Sequence, residues 1–287
     1  MKNTFFRHTM SITAVITLLF VAGCSDRVSL SGEKHTILLS DNVCLEMIRV
    51  EAGSFTMSAK DGENEPDEVP HHAKLTKDFY IGRTEVTQAQ WMAIMGSNPS
   101  EFKGDDLPVE NVTWNDAMEF CEKMNDMGRA PKGWKFTLPT ETQWEYAARG
   151  GNRSNNYKYS GSDEVDEVAW YYQNSGDSRL NGSSFADEVI SNHCKTHPVA
   201  QKKANELGLH DMSGNVFEWC LDDWKQDNSK QRAEFTRGNE SGGSRRVFRG
   251  GVWLGHASFC RSASRFSRLP GDWCCYLGFR VVLVPVQ

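Results

Sequence analysis

The sequence predicts an α+β domain with few, short regular elements and a large share of irregular loop. Segments with helical and with extended periodicity alternate along the chain and show no internal repeat. Residues 150–205 are rich in Gly, Asn, Ser and Asp and have little periodicity, which is typical of functional or metal-stabilised loops. The 24 glycines and nine tryptophans indicate a turn-rich fold that packs around aromatic side chains.

The first 23 residues have the pattern of a signal peptide. Lys2 and Arg7 supply positive charge, and the apolar run over residues 10–22 is shorter than the roughly 20 residues of a membrane-spanning helix. The run ends in the letters VAGC, which resemble the lipobox of bacterial lipoproteins. This resemblance implies removal of residues 1–23 and lipidation of Cys24, and Ser25 in the next position is typical of sorting to the outer membrane. The alternative is an ordinary secretory signal with an incidental cysteine.

The rest of the chain is predicted to be a lipid tether followed by one globular domain. Residues 24–42 are mostly polar and are interpreted as the lipidated cysteine and its tether, and residues 43–287 as the domain. The expected location is the cell envelope, on the periplasmic face of the outer membrane. The net charge of −6 becomes −8 when Lys2 and Arg7 are removed. A surface of this sign argues against nucleic acid as a partner.

The N-terminal part of the domain should hold strands and one capped helix. Residues 44–57 predict a strand, a glycine turn and a second strand, and residues 60–72 an acidic loop with two prolines. Residues 79–86 alternate like a strand. Thr87 and Gln90 have the spacing of a capping box, which predicts a helix that runs through Met95.

The central and C-terminal parts predict two more helices and a series of short strands. After an extended segment over 108–114, Asn115 or Asp116 is expected to cap a helix that buries one face. A short strand at 136–139 precedes a helix capped by Thr140, with Gln143 three residues further on. Beyond Gly208 short strands alternate with turns, and residues 280–284 read as a final buried strand.

Seven cysteines remain besides Cys24. Disulfides are compatible with an exported protein, and the odd number leaves at least one thiol unpaired or used for chemistry. Zinc is poorly supported because no C-x-x-C pair occurs. Two of the cysteines are adjacent, and in an extended strand their side chains would point to opposite sides. The seven are Cys44, Cys121, Cys194, Cys220, Cys260, Cys274 and Cys275.

A series of motifs in a fixed order resembles the formylglycine-generating enzyme family, also called the sulfatase-modifying factors. The resemblance covers about residues 44–284, and it rests on the order of the motifs more than on any single one. The motifs are GSFTM at 53–57, EVT at 85–87, PV at 108–109, VTWNDA at 112–117, LPTE at 138–141, WEYAARGG at 144–151, GNVFEW at 214–219, RGG at 249–251 and LGFR at 277–280.

The resemblance implies a C-type-lectin-like fold and a bound calcium ion. Carried over to this chain, the calcium ligands are the side chains of Asp211 and Glu218 and the carbonyl oxygens of Gly214 and Val216. Such a mixture of oxygen ligands suits a hard cation. The alternative is that Asp211 and Glu218 close a turn and face solvent.

The family's copper site is incomplete in this sequence. Members of the family hold Cu(I) between two cysteines after the RGG motif and use O₂ to oxidise a sulfatase cysteine to formylglycine. Here the second position is Cys260, the candidate catalytic residue, but the first is Gly255, which has no ligating side chain. Cys260 is alternatively a buried or disulfide-bonded cysteine. A substrate groove would be lined by Trp253, His256, Phe259 and Arg265.

Three functions follow from this pattern, and whether the chain is an enzyme stays open. The first is a divergent oxidase acting on a sulfatase-like polypeptide, with copper doubtful because of Gly255. The second is a non-catalytic, calcium-stabilised lipoprotein that binds or assembles a cell-envelope protein. The third is an enzyme with altered chemistry, such as hydroxylation, on the same scaffold.

Overall fold

A computed structural model of the chain describes residues 32–58, 65–182, 186–227, 229 and 244–286. The predicted signal peptide, Cys24 and Ser25 lie outside the described residues. Within these ranges, no helix is long and apolar enough to cross a membrane.

The larger sheet joins both ends of the described chain. Its strand order is β1-β2-β5-β11-β6, and every neighbouring pair is antiparallel. The C-terminal strand therefore lies inside the sheet, between β5 and β6, which agrees with the prediction of a final buried strand. The strands are β1 (Lys34–Ser40), β2 (Val43–Val50), β5 (Phe79–Gly82), β6 (Trp134–Thr137) and β11 (Val282–Pro285).

Strand β1 corrects the predicted domain boundary. Residues 34–40 were expected to belong to the polar tether, but they pair with β2 along the edge of the sheet. Alternate side chains of β1 point inward, and Ile37 and Leu39 are buried in the core. Because two buried aliphatic side chains and a full ladder outweigh the polar composition of the strand, the domain begins near residue 34.

A second, four-stranded sheet has the order β10-β7-β8-β9. Strands β7 and β10 run parallel, whereas the other neighbours are antiparallel. A separate hairpin pairs β3 with β4. The elements are β3 (Gly53–Met57), β4 (His71–Leu75), β7 (Phe217–Asp223), β8 (Arg246–Arg249), β9 (Arg265–Arg268) and β10 (Leu277–Gly278).

Capping boxes begin the three main helices. Thr87 caps α1 (Gln88–Met95) and Thr140 caps α3 (Glu141–Ala148), as predicted. The predicted cap of α2 (Trp114–Asp126) at Asn115 or Asp116 is wrong. Thr113 is the cap, because its hydroxyl accepts from the Asp116 N–H at 3.0 Å while the Asp116 carboxylate accepts from the Thr113 N–H at 2.9 Å.

The long segment 150–205 is mostly irregular, as the sequence predicts. Its described residues contain only a 3₁₀ turn at Gly151–Arg153 and the short helices α4 (Val165–Val168) and α5 (Ala186–Ser191). Aromatic side chains fill the core beneath it: Trp91 stacks on Phe120 at 5.7 Å, and Phe279 meets both rings edge-on. The seven cysteines from Cys44 to Cys275 are free thiols.

Candidate functional site

The loop after β8 carries the two positions at which copper thiolates would be expected. At the first of them, Gly255, a Cβ atom would lie 2.8 Å from Cγ1 of Val252 and 3.0 Å from Cδ2 of Phe259. The first separation is shorter than packed carbon atoms adopt, and the second is at the lower limit. A cysteine at this position would therefore require the side chains of Val252 and Phe259 to move.

The second position, Cys260, is buried completely. Burial raises the pKa of its thiol to about 12, and the S–H group donates to the carbonyl oxygen of His256 at 3.9 Å. The sulfur also packs against Gly251, where an added Cβ would lie 2.6 Å from it. This environment disfavours the thiolate, and the side chain of Cys260 is part of the core.

The residues predicted to line a groove are not brought together as one. Trp253 and Arg265 are both buried, with exposed fractions of 6% and 4%. Trp253 donates from Nε1 to the carbonyl oxygen of Cys275 at 3.2 Å, and Arg265 is held by Glu141. Internal partners therefore hold both residues in the interior, and their place in a groove stays a prediction. His256 is half-buried and Phe259 is 36% exposed, so only these two reach solvent.

A buried ionic network fixes the loop after β8 to helix α3. Arg249 is fully buried and pairs with Glu145, while its Nε lies 3.4 Å from Oε1 of Glu141. Its Nη1 atom donates to the carbonyl oxygens of Ala263 and Ser264. Because the guanidinium contacts both the helix and the chain that follows Cys260, it determines where that chain runs.

The predicted calcium residues lie in a second buried cluster, at the end of β7. Glu218 accepts from Nε and Nη2 of Arg280, at 2.6 Å in both cases, and from Nε1 of Trp144 at 2.7 Å. Asp211, which is 2% exposed, accepts the N–H of Ala200 at 2.7 Å through Oδ2. Its Oδ1 atom has no hydrogen-bond partner in the described structure.

Glu85 completes this cluster; Glu85 and Arg280 both belong to motifs of the family, but neither was predicted from the sequence as a residue of the site. Glu85 is fully buried and accepts from Nδ2 of Asn215 at 2.9 Å and from the N–H of Val216 at 3.1 Å. Both hydrogen-bond donors, Asn215 and Val216, are more than 100 residues away along the chain. Only the tertiary fold therefore brings the group together.

The cluster holds three buried carboxyl groups and one guanidinium, Arg280. Burial raises the pKa of Glu85 well above its ordinary range, and the charges of Asp211 and Glu218 raise it further. Burial also raises the pKa of Asp211 to about 6. Both shifts indicate an excess of negative charge in a poorly solvated place, which a bound cation would relieve.

The cluster meets only part of what a calcium ion requires. Oδ1 of Asp211 is buried and unpartnered, which fits a metal ligand, whereas the oxygens of Glu218 are occupied by Arg280 and Trp144. Among the described residues, no group of three or more His, Cys, Asp or Glu side chains is arranged to hold a metal ion. The calcium site of Asp211, Gly214, Val216 and Glu218 therefore stays a prediction, with Asp211 as its best-fitting member.

An open, polar cavity of about 610 Å³ lies elsewhere, between β3, the end of α3 and the loop that follows it. Its lining includes Phe55, Tyr146, Arg149 and Tyr157. None of the residues that the sequence predicts for a site lines it. This cavity is therefore separate from the predicted catalytic position at Cys260.

Residues 38–284 match the family model described as the sulfatase-modifying factor enzyme 1-like domain. Two relatives illustrate the range of functions. The protein named chaperone protein LppX, from Paenibacillus barcinonensis, is 38% identical over 270 residues, which cover 83% of this chain and 88% of the relative. The formylglycine-generating enzyme of Streptomyces coelicolor is 27% identical over 289 residues, which cover 81% and 87%.

Solved structures with the same fold include Treponema denticola variable protein 1. It is 30% identical, superposes with a TM-score of 0.69, and covers 88% of this chain and 99% of its own. PvdO from Pseudomonas aeruginosa has the same TM-score at 24% identity and equal coverage, and it is similar in fold alone. These likenesses confirm the predicted C-type-lectin-like α+β fold.

Proposed function

This chain belongs to the sulfatase-modifying factor family, and from that premise we propose that it is a non-oxidising member which binds an exported polypeptide at the cell envelope. The observation that carries the proposal is Gly255 at the position of the first copper thiolate, where even a Cβ atom would crowd Val252 and Phe259. The buried, protonated thiol of Cys260 supports the same conclusion. Without two thiolates, the chain cannot hold Cu(I) in the way the family's oxidases do.

Binding of a polypeptide is favoured by an apolar surface at the edge of the second sheet. Strand β9 is the last strand of that sheet, and Phe259 packs on Phe266 of β9 with ring centroids 5.2 Å apart. Beyond β9, Leu269 is 48% exposed and Trp273 is 63% exposed. We call Phe259, Leu269 and Trp273 the aromatic face. Exposed aromatic side chains next to a sheet edge suit an extended or unfolded chain.

The relative named chaperone protein LppX supports the same class of function, since it resembles this chain over most of both lengths. In this proposal, the client is an exported protein that reaches the envelope unfolded. The ordered anchor points of the aromatic face would hold its apolar segments, and no covalent chemistry is required.

The Trp273→Ser variant tests this function. Trp273 is the most exposed residue of the aromatic face, and removal of such an anchor typically weakens binding by about 2 kcal/mol or more, which is roughly thirtyfold. We expect the wild-type domain to suppress the aggregation of a chemically unfolded secreted enzyme, measured by light scattering, and the variant to need a much higher concentration for the same effect.

The matched control is Met127→Ser, because Met127 is also an exposed apolar residue, at 48%, but follows helix α2. It should suppress aggregation as the wild type does. Titration of the reduced wild type and of Cys260→Ala with Cu(I) forms the second arm. Tight copper binding that is lost in Cys260→Ala would support an oxidase instead. Equal suppression of aggregation by the wild type, Trp273→Ser and Met127→Ser would rule out binding at the aromatic face.

We further propose that calcium stabilises the cluster at Asp211. The ion would supply positive charge to a group of buried carboxyls that Arg280 alone does not neutralise. If calcium binds the folded state only, a concentration of 100 times the dissociation constant should add about 2.7 kcal/mol to the free energy of unfolding. A chelator should therefore lower the melting temperature of the wild type but leave that of Asp211→Asn unchanged. An equal melting temperature of the wild type with and without chelator would contradict the calcium site.

The location is proposed from the N-terminal pattern. Cleavage before Cys24 and its acylation would place the domain at the envelope, and Ser25 favours the outer membrane with the domain facing the periplasm. A lipid anchor would keep the aromatic face close to polypeptides that emerge from the export machinery.

A further inference from the structure

The turn that leads into β10 carries two adjacent thiols, Cys274 and Cys275, and both are half-buried. An extended strand would turn them to opposite sides, but the N–H of Leu277 donates to the carbonyl oxygen of Cys274 at 3.1 Å and closes a turn. The two thiols are near enough that the charge of Cys274 raises the pKa of Cys275. The backbone at the pair is therefore a turn and not the extended strand that would direct the side chains to opposite sides.

Two other segments of the chain hold the backbone of this pair. The N–H of Asn111 donates to the carbonyl oxygen of Cys274 at 3.1 Å. The indole Nε1 of Trp253 donates to the carbonyl oxygen of Cys275 at 3.2 Å. The pair is thus fixed between the segment before α2 and the loop after β8, and its position does not depend on the turn alone.

A buried carboxyl group precedes Asn111 in the segment that holds the pair. Glu110 has no exposed surface and accepts the N–H of Phe102 at 2.9 Å through Oε1, while its Oε2 atom has no partner in the described structure. Its negative charge contributes to raising the pKa of both thiols. An unpartnered, buried carboxyl oxygen beside two thiols is unusual in a purely structural turn.

We propose that Cys274 and Cys275 are a redox-active dithiol, which forms a reversible vicinal disulfide by exchange with an aliphatic disulfide, such as that of an exported thiol oxidoreductase. One thiolate attacks the reagent and displaces one of its sulfurs as a thiolate. The second cysteine then attacks the mixed disulfide and displaces the other sulfur. Two S–H bonds break and one S–S bond forms in this chain, and the reagent is reduced to two thiols that take up the two protons.

Geometry makes such a disulfide reversible. Adjacent Cα atoms are about 3.8 Å apart, whereas the Cα atoms of ordinary disulfides are about 4.4–6.8 Å apart. The ring is therefore strained, and strained disulfides are the ones that reducing partners open readily. The free thiols of this structure are the reduced form. Closing the ring must reorient the peptide bond between the two cysteines, and with it the carbonyl of Cys274 that accepts from Asn111 and Leu277.

Local charge sets the rate of the exchange. Burial raises the pKa of both thiols, and Glu110 raises it further, together with Glu101 at Cys275, whereas Arg268 and a hydrogen bond with Tyr276 lower that of Cys274. Glu110 thus slows thiolate formation. Glu110→Gln should speed the reaction at pH 8 by about threefold for each unit by which the thiol pKa falls.

The test uses the full chain, oxidised glutathione as the probe, and mass spectrometry of acid-quenched peptides. In the wild type, the peptide that holds Cys274 and Cys275 should lose two hydrogens and carry no glutathione. Cys44, which is exposed, should retain a glutathione adduct in the same molecules and serves as the internal control. In Cys274→Ser, the remaining Cys275 should retain an adduct, because no neighbour can displace it.

Stable glutathione adducts on the wild-type pair, or two thiols that stay open to alkylation after long exposure, would overturn the proposal. The Cys274→Ser protein must show the wild-type circular dichroism spectrum for its adduct to count. Its result does not depend on the binding of a client, so this proposal and the proposed function succeed or fail separately.

Discussion

Replacement of Arg249 by methionine is expected to destabilise the domain by about 3–5 kcal/mol, because it removes one of the arginines that neutralise two buried carboxylates and the donor to two buried carbonyl oxygens. Arg249 has no exposed surface and pairs with Glu145 and Glu141, which are also fully buried. Arg265 would still neutralise Glu141, and Arg149 would still contact Glu145. The carbonyl oxygens of Ala263 and Ser264 would lose their donor. The measurement is the free energy of unfolding in urea.

The matched control is Arg179→Met, which removes an arginine from an exposed ion pair. Arg179 contacts Asp166 at 2.9 Å, but the two side chains are 50% and 48% exposed. Exposed pairs are worth about 1 kcal/mol or less. Equal losses of unfolding free energy in the two variants would mean that burial does not govern the strength of the Arg249 network. The loop after β8 would then not be fixed to helix α3 by Arg249.

The second large effect is a dependence of stability on pH that one carboxyl group controls. Burial raises the pKa of Glu110 from 4.5 to about 7 in the folded chain, although hydrogen bonds from Phe102 and Glu101 oppose the shift. Between these two values, the folded state holds a proton that the unfolded state has lost. Stability therefore falls as the pH rises through this window, by about 3 kcal/mol in all, and the full loss is present above pH 7.

Glu110→Gln should remove this dependence because the amide does not ionise. The difference in unfolding free energy between the variant and the wild type should rise by about 3 kcal/mol in favour of the variant from pH 4.5 to pH 8. The amide can still accept from the Phe102 N–H, so the contact at Oε1 is kept. A difference that stays constant over this range would show that Glu110 titrates normally and is better solvated than the structure indicates.

Signals that act over a few residues were predicted from the sequence, with one instructive error. The caps at Thr87 and Thr140 follow from a Thr and a Gln three residues apart. At α2, three polar residues compete for the same role, and Thr113 is the cap because its hydroxyl and the Asp116 carboxylate each accept the other residue's N–H. Strand β1 was not predicted, because its polar residues obscure the alternation of buried and exposed side chains. That alternation is evident only in the structure, where β1 pairs with β2.

Less of the candidate site could be predicted from the sequence, because the residues that interact there are far apart along the chain. The motif order located Asp211, Glu218, Gly255 and Cys260, but not their surroundings. Arg280 and Glu218 form an ion pair although they are 62 residues apart along the chain, so no local sequence pattern predicts it. The closure around Gly255 depends on how Val252 and Phe259 pack. The sequence alone shows that the first copper cysteine is absent, whereas the packing around Gly255 is visible only in the structure.

The early start of the first strand limits how far the domain can travel. With Cys24 acylated as proposed and β1 beginning at Lys34, about ten residues separate the lipid from the folded body, and even fully stretched they span roughly 35 Å. A globule of this size is about 45 Å across. The stretched tether would therefore be shorter than the diameter of the domain. If Cys24 is acylated as proposed, the domain would stay next to the bilayer surface, and it would meet its clients only within a thin layer beside the membrane.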